Sequence, residues 1–166
     1  MRFLRAKAVP DARGPLPDAY LVALRMLARR ELSEAQIRER LARREYDDEA
    51  IDTAVARLKQ ERAIDDERVA GAIARTATSI KRRGRVRVKR DLQNAGIPSS
   101  AAKKAIDETF GEVDEDALLA TTLSRRLRGG SVVDRAGLSR LYRYLRNQGF
   151  DHDRVMKHLR RLKPGA

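Results

Sequence analysis

From residue 18 onward, apolar residues return at steps of three and four, the spacing that lines one face of an α-helix. Asp18 can cap a first helix whose Leu21, Leu24 and Leu27 with Ala28 form a stripe, leaving Arg25, Arg29 and Arg30 to other faces. Ser33-Glu34-Ala35-Gln36 has the form of a capping box and opens a helix carrying Ile37 and Leu41. A third helix starts from Asp47 and turns Ile51, Val55 and Leu58 inward. Asp65-Asp66 precedes Val69, Ala70, Ile73, Ala77 and Ile80, after which Val88, Leu92 and Ala95 form another stripe. Asp114-Glu115-Asp116 precedes Leu119, Leu123 and Leu127, and a helix beginning near Asp134 carries Leu138, Leu141 and Leu145. No segment alternates with period two long enough to compete as a strand; Val86-Arg87-Val88 does so locally, but the helical spacing runs on to Leu92 and Ala95.

The pattern repeats. Tyr46-Asp47 leads into Ile51 and Val55, Ile97-Pro98 into Ala102 and Ile106, and Phe150-Asp151 into Val155 and Leu159. Each time an apolar residue just before a helix start has an apolar mate five positions on, the spacing of a hydrophobic staple. Ile37 and Leu41 correspond to Val88 and Leu92 and then to Leu141 and Leu145, at offsets of 51 and 104. Gly96 and Gly149 are placed to end the middle helix in the left-handed conformation, with Glu45 holding that position in the first unit. The expectation is an all-α chain of three tandem three-helix repeats, at residues 18–64, 65–111 and 112–166, with Gly111 marking a break and Gly129-Gly130-Ser131 a turn within the third. Residues 1–17, with three of the five prolines, keep no period and read as a flexible N-terminal tail.

Charge adds a direction to this picture. The 166 residues hold 37 Lys and Arg against 24 Asp and Glu, a formal net charge of +13. Residues 18–64 are balanced, so the excess belongs to the tail and to the second and third repeats. Its densest part is Lys81-Arg82-Arg83-Gly84-Arg85-Val86-Arg87-Val88-Lys89-Arg90, which contains no acid and continues into the stripe of Val88, Leu92 and Ala95. The run is therefore expected to be a charged surface held by a helix, with Arg87, Arg90 and Asn94 turned away from the core. Within the run only Asp91 and its neighbours offer acids at pairing distance along a helix, so the cations are expected to serve a polyanionic partner.

Composition also narrows the chemistry. There is no cysteine, which excludes disulfides, thiolate metal sites and thiol nucleophiles, and suits a reducing cytoplasm. No run of apolar residues is long enough to cross a bilayer and none has the form of a signal peptide, so a soluble protein with no membrane partner is expected. The acidic pairs Asp47-Asp48 and Asp65-Asp66 and the triplet at Asp114 stand at helix starts, where capping explains them better than acid–base work. His152 and His158 lack the i, i+4 spacing of a zinc pair, and Gly129-Gly130 lacks the Lys-Ser/Thr ending of a phosphate loop. No catalytic group, metal site or cofactor is expected. Tyr142 neighbours Leu138, Leu141 and Leu145 and reads as core, whereas Tyr144 sits among Arg140, Arg143 and Arg146.

One resemblance covers residues 18 to 163 and is most specific from Ser33 to Ile97. Arg29-Arg30-Glu31-Leu32-Ser33-Glu34, Ile64-Asp65-Asp66-Glu67-Arg68-Val69-Ala70, then Arg75, Gly84 and Asp91-Leu92 through Gly96-Ile97 are similar to RecX, the bacterial regulators of the RecA recombinase. Residue 69 is Val where an aromatic is usual, and residue 91 is Asp where Glu is commoner. The resemblance implies an elongated, curved and monomeric array of repeats that binds the RecA filament in its helical groove. It also implies inhibition of strand exchange, ATP hydrolysis and coprotease activity, with DNA as a further contact in some members. The expected contact residues are Arg75, Lys81, Arg82, Arg83, Arg85, Arg87 and Arg90, followed by Arg140, Arg143 and Arg146. The competing reading is a stand-alone nucleic-acid binder such as a helix-turn-helix regulator, for which Gln93-Asn94 beside Arg90 is the one suggestive base-reading cluster.

Overall fold

The computed structural model describes residues 18–127 and 134–162. Within them the chain is entirely helical: α1 Ala19–Leu27, α2 Glu34–Ala42, α3 Asp48–Gln60, α4 Asp66–Arg75, α5 Arg85–Asn94, α6 Ser99–Glu112, α7 Glu115–Leu127, α8 Arg135–Asn147 and α9 His152–Arg160. The expected tail and the Gly129-Gly130-Ser131 turn lie outside the described residues.

Local chemistry accounts for most helix starts. Asp18, Asp47, Asp65, Asp134 and Asp151 each accept a hydrogen bond from a backbone N–H in the first turn that follows. Ser33 and Gln36 complete a reciprocal capping box. Helix ends are equally explicit: Glu45, Gly96 and Gly149 have φ values of 68°, 67° and 91°, so the three positions do share the left-handed cap.

Packing sorts the helices into three triads. Contacts concentrate within α1–α3, α4–α6 and α7–α9, and each triad has its own apolar cluster. Ile37, Leu41 and Leu58 are fully buried in the first, Val88 and Leu92 in the second, Leu119, Leu145 and Val155 in the third. A cluster of this size stabilises a three-helix unit only marginally, which makes the joins between triads part of the fold.

Those joins follow one rule, in which the N-terminus of a middle helix meets the C-terminal cap of the next triad's middle helix. At the first join the buried Ser33 hydroxyl donates to the Ala95 carbonyl at 2.5 Å, the Glu34 N–H donates to Asp66 at 2.9 Å, and Arg68 pairs with Glu31 at 2.7 Å. A side chain on Gly96 would fall 2.3 Å from the Ala35 Cβ. At the second join Gly84 N–H donates to the Gln148 carbonyl at 2.9 Å and Val86 N–H to the Gly149 carbonyl at 3.2 Å. Here both partners are glycine, since a Cβ on Gly84 would lie 2.5 Å from the Gly149 oxygen and one on Gly149 only 2.2 Å from the Arg87 nitrogen. Each join places the positive end of one helix dipole against the negative end of another.

Three details depart from the sequence pattern. The buried face of α1 is Ala19, Val22 and Ala23, small residues that permit close approach to α3; of the expected stripe Leu24 and Leu27 pack partly buried on the cluster, and Leu21 is 48% exposed. A π-helical turn over Thr76–Ile80 follows α4; it keeps Ala77 inside but rotates Ile80 outward to 70% exposure. Gly111 does not break the chain, since α6 runs through it to Glu112.

Glu34 ties α2 to α3 through Lys59 at 2.8 Å, and within α2 it pairs at 2.9 Å with Arg38, which itself reaches Asp52 of α3 at 2.5 Å. Its hydrogen bond from Lys59 holds its carboxyl below the ordinary carboxylate range; burial opposes that, and the bond from Arg38 adds to it. A depressed folded-state pKa contributes stability that is complete above the unfolded value and lost as pH falls through the folded one. Glu34→Gln should therefore cost about 1 kcal/mol near neutral pH and almost nothing in strong acid, as read by urea denaturation at the two pH values.

Candidate functional site

The basic run is not one helix face. Lys81, Arg82 and Arg83 lie between the π-turn and α5, with Arg82 itself left-handed at φ 51°, and the helix begins only at Arg85. Gly84 is the N-cap of α5 and is buried against the third triad, so the run straddles the second join. This placement divides its cations into two groups.

One group is engaged internally. Arg83 is ion-paired with Asp91. Arg85 reaches Asp107 at 3.4 Å and Glu115 at 3.6 Å and lies over the Phe110 ring, its guanidinium carbon 4.9 Å from the centroid. Arg87 is half-buried beside Asp91 at 3.3 Å, although the angle is too poor for a hydrogen bond and its buried Nε has no hydrogen-bond partner. Arg87, expected on the solvent side of the helix away from the core, is instead half-buried at the second join: α5 docks by its N-terminal end onto the α8–α9 corner, and that presses Arg87 against Gly149. The expected lack of acids is corrected too, because Asp107 and Glu115 arrive from α6 and α7.

The other group faces solvent. Arg75, Lys81 and Arg90 are exposed, Arg82 is half-buried, and none of them has an ion pair among the described residues. Lys89, which was not among the expected contacts, belongs with them, as its place on the helix leaves it beside Arg90 and away from Val88 and Leu92. Two apolar side chains stand in the same stretch: Ile80 is 70% exposed and Val86 53% exposed. Gln93 and Asn94 are exposed at the far end of α5. In the third triad Arg143 is exposed and unpaired among the described residues, Arg140 lies 3.8 Å from Asp134, and Arg146 donates to the Phe150 carbonyl at 2.8 Å. Tyr142 packs on the third cluster and its hydroxyl meets His152 Nδ1 at 3.0 Å, while Tyr144 also packs there and carries Arg126 over its ring at 5.1 Å.

The candidate acids are occupied. Asp47, Asp65 and Asp114 accept backbone N–H bonds at helix starts. Asp116 receives His158, Arg154 and Lys157; the His158 hydrogen bond and then the two cations lower its carboxyl below the ordinary range. Among the described residues no cluster of three or more His, Asp or Glu side chains could hold a metal ion, and no helix is long and apolar enough to cross a membrane.

Comparison with known proteins gives a consistent picture. The model for the first three-helix domain of RecX matches residues 19–58, and the model for its second three-helix domain matches residues 65–106. The regulatory protein RecX of Syntrophotalea carbinolica is 35% identical over 139 residues, a stretch covering 82% of this chain and 91% of that protein. That of Chlorobaculum tepidum is 28% identical over 142 residues and 86% of each chain. Against RecX of Geobacillus thermodenitrificans the identity is 30% over 140 residues, but only 51% of that longer protein is spanned. The crystal structure of RecX from Lactobacillus salivarius superposes with a TM-score of 0.66 at 22% identity, covering 87% of this chain and 94% of that one, a likeness of fold.

Proposed function

The chain belongs to the RecX family of regulatory proteins, and on that footing we propose that it binds the RecA nucleoprotein filament in its groove and restrains it. The stacked triads lie across neighbouring RecA protomers as a curved array, and the exposed cations of the second and third triads meet acidic protein surface. A ligand that bridges protomers binds one arrangement of them better than another, and so opposes the rearrangements of ATP turnover and strand exchange. The contacts are Arg75, Lys81, Arg82, Lys89 and Arg90, with Arg143 beyond them; Arg85 reaches Glu115 across the join that presents this surface, and Arg83 and Arg87 pair with Asp91 beside it.

The observation that carries this reading is the presence of Ile80 and Val86, exposed within the unpaired cations. Phosphate contacts require charge but gain little from protruding aliphatic groups, whereas protein interfaces desolvate them. A partner made of protein therefore fits better than a nucleic acid alone, which ranks the stand-alone helix-turn-helix regulator second. Co-sedimentation separates the two: the protein should pellet with RecA assembled on single-stranded DNA at concentrations where the bare strand leaves it in the supernatant. Equal retention by the bare strand would favour the nucleic-acid binder.

A further inference from the structure

The first triad is neutral as a whole, yet its charges are sorted. Arg25, Arg29 and Arg30 at the end of α1 and Arg40, Arg43 and Arg44 at the end of α2 line one cavity of about 580 Å³. Val22 and Met26 also line it, apolar surface on which arginine stems can lie. Only Arg43 among the six has an ion pair within the described residues, to Glu39 at 2.5 Å. Four of the triad's acids, Asp18, Glu45, Asp47 and Glu49, line a separate cavity between α1 and α3 together with Arg57.

A merely structural reason for such a cluster is that cations favour helix C-termini. Its magnitude is too small: two helix ends offer roughly one negative charge between them, and Glu39 one more, against six guanidinium groups. About four positive charges remain uncompensated in a space the size of a small-ligand site. All six are arginine, whose planar fork grips phosphate oxygens in pairs. No aromatic residue lines the cavity, so nothing there stacks on a base.

We propose that this cavity binds a run of closely spaced phosphates through their oxygens, without reading bases. The site belongs to the first triad, apart from the surface assigned to the filament, and stands or falls independently of it. Two sources share the chemistry: the backbone of a nucleic-acid strand and a free polyphosphate. The probes are a labelled oligothymidylate, followed by fluorescence anisotropy, and inorganic tripolyphosphate, followed by calorimetry, each with the full chain, with Arg29→Glu/Arg44→Glu and with the milder Arg29→Ala/Arg44→Ala. Both substitutions lie at exposed positions, and circular dichroism checks that the helices persist.

A strand in the cavity predicts at least a tenfold loss of oligothymidylate affinity in the charge-reversed chain and a smaller loss with alanine. It also predicts a dependence of log K on log salt shallower by about 1.4 in the alanine variant, two phosphate contacts at about 0.7 each. Loss confined to tripolyphosphate assigns the cavity to a free polyphosphate. Affinities for both probes that stay within twofold of the unaltered chain in both folded variants overturn the proposal.

Discussion

Gly149→Ala should loosen the third triad from the second at a cost on the order of 3–5 kcal/mol, among the larger effects a single methyl group can produce. Gly149 has φ 91°, where a side chain is strained by itself. The added Cβ would also stand 2.2 Å from the Arg87 nitrogen and 2.4 Å from its Cβ. Neither can yield without moving α5, so Gly84 N–H and Val86 N–H would lose the carbonyls of Gln148 and Gly149, at about 1 kcal/mol each. Because stacked modules depend on neighbour contacts, denaturant unfolding should split, with the third triad melting first. Gly111→Ala is the matched control: it lies in α6 with nothing within 4 Å of an added Cβ, and should be neutral or stabilise by up to about 1 kcal/mol. A Gly149→Ala protein within about 1 kcal/mol of the unaltered chain, unfolding in one step, would refute this picture of the join.

How far the sequence anticipates these features depends on their range along the chain. Capping by Ser33, Asp47, Asp65 and Asp151 is decided within one helical turn, and the left-handed caps at Glu45, Gly96 and Gly149 within two residues, so spacing alone reveals them. The buried face of α1 is ambiguous, because Leu21, Leu24 and Leu27 and the set Ala19, Val22 and Ala23 both satisfy helical periodicity; the smaller set is buried, Leu24 and Leu27 pack partly buried at its edge, and Leu21 is exposed. The π-turn has no spacing signature. Within it Thr78 and Ser79 donate to the Arg75 carbonyl and Thr78 also to that of Ala74, hydroxyl bonds that compete with the backbone ladder.

The candidate surface was legible in outline but not in detail. Lys81, Arg82 and Arg90 are exposed or half-exposed without ion pairs among the described residues, but the partners of Arg85 are Asp107 and Glu115, which sequence proximity cannot disclose. Lys89 could have been found by placing it on the helix beside Arg90. The arginine cavity was hidden by arithmetic, since summing the first triad to zero conceals that six of its arginines line one cavity.

Reversing charge at Lys81, Lys89 and Arg90 together should abolish most of the protein's effect on RecA. All three are exposed and unpaired among the described residues, so glutamate there breaks no internal ion pair and the helices should persist by circular dichroism. Each reversal replaces attraction by repulsion against an acidic surface; single rim charges are worth up to about 1 kcal/mol, and three reversals amount to tenfold to several hundredfold in affinity. The loss should be greatest at low salt, where screening is weakest. ATP hydrolysis by RecA on single-stranded DNA, titrated in parallel with the unaltered chain and the Lys81→Glu/Lys89→Glu/Arg90→Glu variant, measures it most directly. The account predicts that the unaltered chain suppresses turnover and that the variant needs at least tenfold more protein for the same suppression. Equal suppression by the two, or none by the unaltered chain, would contradict it.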